Sequence, residues 1–185
     1  MTQHSKRMFS FFVPVVALAF ISRFVPHIPN ITPLGALGIV SSRQMSFYKS
    51  IALVLSTLFV SDILIGFYHP LVVVSVYGSF ALYGVFGKIS ENNIASLVYA
   101  GVGGAVSFFL ITNFAVWLSS DWYPKTAQGL MSAYALGLPF FRNMLIGDIC
   151  FTALLGYIYE VFTKTRQLPA PMMRSWAFNA EKYHA

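Results

Sequence analysis

The sequence predicts an all-α, polytopic integral membrane protein with six transmembrane helices, and three observations carry that prediction. Of the 185 residues, 57% are hydrophobic and only 10% charged, against about 25% charged in a soluble domain. A folded surface of this composition cannot face water all round, and the mean hydropathy of +0.67 agrees. The apolar residues are gathered into successive runs bounded by prolines, glycines or polar residues, and a helix crossing the bilayer needs about 20 apolar residues. The length holds six such runs, or five, with their turns and leaves no stretch for a soluble catalytic domain, so any chemistry sits among the spans or in short loops; six is preferred because five would put the C-terminal basic cluster outside.

Each run has its own boundaries. Span one covers about Met8 to Phe24. Met1 to Arg7 followed by Met8 to Ala19 has the charged-then-apolar form of a signal peptide, with Ala17-Leu18-Ala19 as a passable cleavage site, but the apolar run continues to Phe24, which suits a retained span better. Pro26 and Pro29 then fix an extended break. A short second run, Thr32 to Val40, opens with Pro33 at a first helical turn and crosses only if Ser41 to Ser46 continue the helix. Span three is Phe47 to Gly66 and span four Pro70 to Gly87, with Gly66 and Gly87 as expected C-terminal caps. Span five, Ile94 to Leu118, is long enough to cross with tilt. The sixth run begins near Leu130 and is expected to break at Pro139, which separates a short interfacial helix from a last span over Phe140 to Phe162. Residues 1–163 form one transmembrane domain, and 164–185 a polar cytoplasmic tail.

Lysine and arginine set the orientation. With six spans, one side holds Lys6, Arg7, Arg43, Lys49, Lys88, Lys164, Arg166, Arg174 and Lys182, and the other only Arg23, Lys125 and Arg142. The positive-inside rule then places both termini in the cytoplasm.

This topology gathers the polar residues of the spans toward the outer face. Arg23 ends span one, Asp62 lies one turn before the end of span three, Asn113 and Trp117 approach the end of span five, and Arg142, Asn143 and Asp148 enter span six from outside. Charges in hydrocarbon are costly, so the two arginines and two aspartates are expected to pair across helices or to line a wet cavity. Two readings follow: an ion-pair network pinning helix ends, or a ligand pocket that uses some of these groups with the aromatic and amide residues at their depth.

Other chemistry is excluded or faint. The twelve basic residues are scattered rather than gathered into a patch, which argues against nucleic acid. Cys150 is the single cysteine, so no intramolecular disulfide or cysteine metal cluster is available, and core packing is its expected role. His27 and His69 fall in outer connections without ligand spacing. Gly101, Gly103, Gly104 and Ala105 read as close helix packing, and Glu160 with Lys164 as an exposed i,i+4 pair. A phosphate loop and a hydrolase elbow are both missing. No cofactor is expected. An intramembrane enzyme would need Asp62 and Asp148 as paired carboxylates, and an arginine near each would hold them ionised.

The order and spacing of several motifs invite comparison. They are Arg23-Phe24-Val25-Pro26-His27-Ile28-Pro29-Asn30-Ile31-Thr32-Pro33, Ser61-Asp62, Val76-Tyr77, Phe108-Phe109, Thr112-Asn113-Phe114-Ala115-Val116-Trp117, Tyr123-Pro124-Lys125-Thr126, Pro139-Phe140-Phe141-Arg142-Asn143 and Gly147-Asp148. Over about Arg23 to Gly156 the chain resembles a family of small bacterial membrane proteins described as transport proteins. That family in turn is similar to the substrate-binding S subunits of energy-coupling-factor (ECF) vitamin transporters. The resemblance implies an S-component-like bundle of six helices with both termini inside and a ligand pocket near the outer face.

The implied function is membrane transport: capture of a small vitamin-like or other micronutrient solute at the outer face, by a chain that is not itself an enzyme. In that scheme Arg142 or Arg23 meets an anionic group and Asp62 or Asp148 a cationic or hydroxyl group. Asn113 and Asn143 supply amide hydrogen bonds, Tyr77, Trp117 and Tyr123 pack on the ligand, Asn30 contributes from the first outer connection, and Trp122 to Leu138 forms a mobile lid. The implied partner is a transmembrane coupling subunit with its ATPases. S subunits commonly meet it through Ala-x-x-x-Ala on the first helix, whereas span one offers Ala17 and Ala19, so action alone stays open. S-type folds also resemble a structural subunit of envelope assembly, a second reading, and the intramembrane enzyme is a third.

Overall fold

A computed structural model describes residues 3–26, 28–91 and 93–165. It is all helical: α1 (Gln3–Ile21), α2 (Leu34–Gln44), α3 (Phe47–Ile65), α4 (Pro70–Ile89), α5 (Ile94–Ser119) and α6 (Ala127–Thr165). Four of these, α3 to α6, are long and apolar enough to cross a membrane, while the apolar part of α1, Arg7–Ile21, is shorter. Helix ends follow local chemistry. The Asn93 carboxamide caps α5 by accepting from Ser96 N–H at 2.7 Å, His69 caps α4 ahead of Pro70, and α3 stops at Gly66, whose φ of 107° few residues but glycine adopt.

The second helix departs most from expectation. It has 11 residues, about 16 Å of rise, too short to cross a bilayer. Every residue from Leu34 to Ser42 is buried, as a helix apolar on all sides must be. It is enclosed by α4 and α6, with α3, α5 and α1 around it. Small residues permit this approach: a Cβ on Gly87 of α4 would strike the Ile39 carbonyl and the Ser42 hydroxyl, and one on Gly38 would press on Tyr83 and Val54. Hydroxyls join α2 to α3, where Ser41 and Ser50 Oγ lie 2.5 Å apart and Ser50 donates to the Gly38 carbonyl at 3.2 Å. Gly87 therefore serves packing rather than capping, and α4 continues to Ile89 with Ser90 as its cap.

Outside, the bundle is apolar. Phe9, Val74, Ile89 and Tyr99 are among many large side chains facing outward, the surface a lipid-immersed helix needs. Cys150 is on that surface, exposed, and not in the core as the sequence suggests. The expected break at Pro139 is also absent, because α6 runs unbroken through it. Proline removes one amide donor, and neighbouring helices tolerate that loss within a membrane bundle. At 39 residues α6 spans about 58 Å. Its last residues lie outside the proposed 1–163 boundary by two positions, and the remaining tail falls outside the described residues.

Helix direction alternates. Arg7, Arg43, Gln44, Glu160 and Lys164 surround a cavity of about 440 Å³ at one end, and Glu160 pairs with Lys164 at 3.7 Å as expected. The opposite end collects the C-terminal side of α1, the starts of α2 and α4, and the ends of α3 and α5.

Candidate functional site

At this second end, α1 closes with a tight turn in which Arg23 N–H bonds the Phe20 carbonyl at 3.2 Å, turning the Arg23 side chain toward α3. Its Nη2 reaches Asp62 Oδ1 at 2.5 Å, and the Tyr77 hydroxyl of α4 donates to Asp62 Oδ2 at 2.8 Å. Both carboxylate oxygens are thus engaged. Asp62 is nearly sealed, at 5% side-chain exposure against 13% for Arg23. An arginine and an aspartate thus pair across helices, one of the two readings of the sequence, while Tyr77, expected to pack on a ligand, bonds Asp62 instead, and the trio ties three helices together at one depth.

Arg23 also borders a cavity of about 670 Å³, within the size range of small-molecule sites. Its wall is mainly apolar, from Leu58, Ile65, Val72, Val76 and Val116, with Leu34, Phe80, Phe108 and Met144 across its inner end. Phe80 and Phe108 meet edge to face at 5.4 Å. The polar groups are few: Arg23, Asn30, Thr32, Tyr68, His69, Ser119 and Ser120, with Trp122 at the rim. Ser120 Oγ is buried with no hydrogen-bond partner among the described residues. Asn30 takes a positive φ of 66°, which asparagine tolerates better than most residues. It lies between this cavity and a smaller one of about 180 Å³ that Asn113 also lines. Asp62 and Tyr77 stand behind the wall and hold Arg23.

Asp148 does not join this group. Its Oδ2 accepts from the Tyr83 hydroxyl at 2.5 Å, and its Oδ1 lies against Gly35 of α2. Tyr83 is six residues beyond Tyr77 on α4, about 9 Å deeper. The expected convergence of both aspartates by depth therefore fails, as does the arginine beside each, since no salt bridge involves Asp148 among the described residues. Arg142 is exposed and Asn143 half-buried, neither on the cavity. The two carboxylates occupy separate layers and form no dyad.

The remaining expected residues shape the outer loop. Trp117 Nε1 donates to the Pro124 carbonyl at 2.9 Å, and Lys125 Nζ donates to the carbonyls of Trp117 and Ser120. Asn113 donates to the Phe109 carbonyl of its own helix at 2.8 Å. Tyr123 is half-buried and lines neither cavity. The expected lid is mostly regular helix, because α6 starts at Ala127, so only 120–126 is loop. Tyr68, Ser119 and Ser120 have no signal in the sequence but position beside a helix end, and His69 and Trp122, which the sequence places in an outer connection and at the start of the lid, line the cavity as well. His27 lies outside the described residues.

The chain belongs to a family of unknown function, DUF6580, which its residues 3–171 match. No curated protein and no solved structure matches it.

Proposed function

We propose that the chain is a six-helix protein of the bacterial inner membrane, with both termini cytoplasmic and the short α2 passing through the bundle interior rather than through lipid, that binds a small solute in the outer-end cavity and takes part in its uptake. The observation that carries this reading is the cavity itself: a largely apolar chamber of about 670 Å³ with one guanidinium at its wall. Asp62 neutralises much of that guanidinium's charge, which favours a neutral or weakly anionic solute with an apolar or aromatic body over a multiply charged one. Such a site fits a vitamin-like micronutrient, in keeping with the resemblance to ECF S subunits. Arg23 and Asn30 would bond its polar edge, Trp122 would cover it, and Asn113 would reach it through the adjoining smaller cavity. Arg142, Asn143, Tyr123, Trp117 and Asp148 line neither cavity and would not touch the solute. The separation of the two aspartates disfavours a carboxylate enzyme. Uptake would use a coupling subunit with ATPases or proceed alone.

Mass spectrometry of the denatured, freshly purified protein tests this reading. A co-purified small molecule is expected from the native sequence and not from Val116→Trp, which fills the cavity. The reading fails if a well-folded native protein carries no small molecule and no compound of a micronutrient library raises its unfolding temperature.

A further inference from the structure

The face of α6 that turns into the bundle repeats every fourth residue: Met144, Asp148, Thr152 and Gly156, all buried. Positions four apart stack along one side of a helix. At one end of this row Met144 borders the outer cavity. At the other end Gly156, with Glu160 one turn on, borders the basic cavity at the opposite end. Asp148 and Thr152 occupy the stretch between the two cavities. Leu34, Phe80 and Met144 form the floor above them, and Phe80 stacks on Tyr83 at 5.5 Å, so one layer of side chains separates the outer cavity from the carboxyl group.

We infer that Asp148 is a proton-binding site on a track along this face of α6, between the two end cavities. An ionised carboxylate so enclosed stands without a counter-cation, and an unpaired buried charge is costly. The charged side chains on the surrounding elements are remote or turned away. Arg43 is at the far end of α2, Lys88 is beyond Tyr83 on α4, α5 carries none, and on α6 Arg142 is exposed while Glu160 and Lys164 lie about three turns or more beyond Asp148, paired with each other. Hydronium arriving through the outer cavity gives up a proton, which forms an O–H bond on Oδ1 and cancels the charge while a neutral water returns to the cavity, and Tyr83 continues to donate to Oδ2. A metal ion fits less well. It needs a shell of several oxygens, and the Tyr83 hydroxyl is used as a donor; the amino end of α2, which Gly35 places against Oδ1, offsets part of the carboxylate's charge but supplies no oxygen ligand. Thr152 Oγ1, fully buried and without a hydrogen-bond partner among the described residues, is the next oxygen along the row. Intramembrane carboxyls of this kind serve proton relays. Only the coupling of this proton to a solute rests on the proposed uptake, because the site is read without one.

Infrared spectra of the full-length protein in lipid nanodiscs, titrated over pH in light and heavy water, test the inference. Native protein is expected to show a carboxyl C=O component, distinct from those of exposed acids, that is lost in Asp148→Asn, kept in Asp62→Asn and shifted in Tyr83→Phe. If Asp148→Asn does not fold, the shift in Tyr83→Phe decides alone. A C=O region that neither Asp148→Asn nor Tyr83→Phe changes at any pH overturns the proton site. A component that emerges only when sodium is replaced by choline overturns it in favour of a metal cation. Neither result bears on the cavity, which the co-purified molecule tests separately.

Discussion

Arg23→Ala strands the Asp62 carboxylate, and the structure sets the size of the effect. In the native protein that carboxylate accepts from Arg23 at 2.5 Å and from Tyr77 at 2.8 Å, with its side chain 5% exposed. Removing one partner of a buried pair costs about 3–5 kcal/mol. Arg23 borders the open cavity, so water reaches the vacated side and the loss should fall near the lower limit, about 3 kcal/mol. Tyr77→Phe removes one hydrogen bond to the same acceptor. Interhelical hydrogen bonds in membranes reach about 1.7 kcal/mol, and the charge on Asp62 puts this one near that limit. Combining Arg23→Ala with Asp62→Asn leaves an uncharged amide that still accepts from Tyr77, so stability should recover by about 2 kcal/mol relative to the sum of the single losses, within the range measured for contacting residues. Equilibrium unfolding in mixed detergent micelles gives the four free energies of the cycle. Losses that add to within about 0.5 kcal/mol, as they do for independent sites, would refute the ion pair as an energetic contact.

Two glycines of α4 should behave oppositely: Gly87→Ala drives a Cβ into the Ile39 backbone carbonyl and should lower the unfolding temperature, whereas Gly78→Ala meets nothing within 4 Å and should be neutral or raise it. Single cysteines in a Cys150→Ala background report topology, with one at Glu91 shielded from an impermeant thiol reagent in intact cells and one at Lys125 labelled; labelling of both rules out the proposed orientation. Pro139→Ala restores the amide that can donate to the Ala135 carbonyl, and because α6 is continuous there it should leave both fold and ligand binding intact, while a loss of binding would revive a hinge at that point.

Much of the bundle is legible because its helices end where the chemistry of single residues ends them. Asn93, Pro70 and Gly66 mark termini that can be read directly. Arg23 and Asp62 meet as expected because each lies within a turn of a helix end, where depth follows from counting. Asp148 shows where counting fails. The sequence sets its depth from a span that starts after Pro139, but α6 begins at Ala127 and is about twice the thickness of the bilayer core, so position along the helix does not give position in the membrane. The burial of α2 is equally hidden, since a short apolar run reads the same whether it faces lipid or five other helices. The glycines carried that information. A Cβ on Gly35 would strike Asp148 and Tyr83, one on Gly104 the Tyr83 ring, and one on Gly101 would crowd Thr152 and the Asp148 carbonyl. Three small residues from α2 and α5 thus make room for one buried pair, and a carboxyl enclosed by glycines is held by packing and by a hydroxyl rather than by an opposite charge. That is why pairing each aspartate with an arginine succeeds at the rim, where a long side chain has space to fold back, and fails in the centre, where only a hydrogen atom fits.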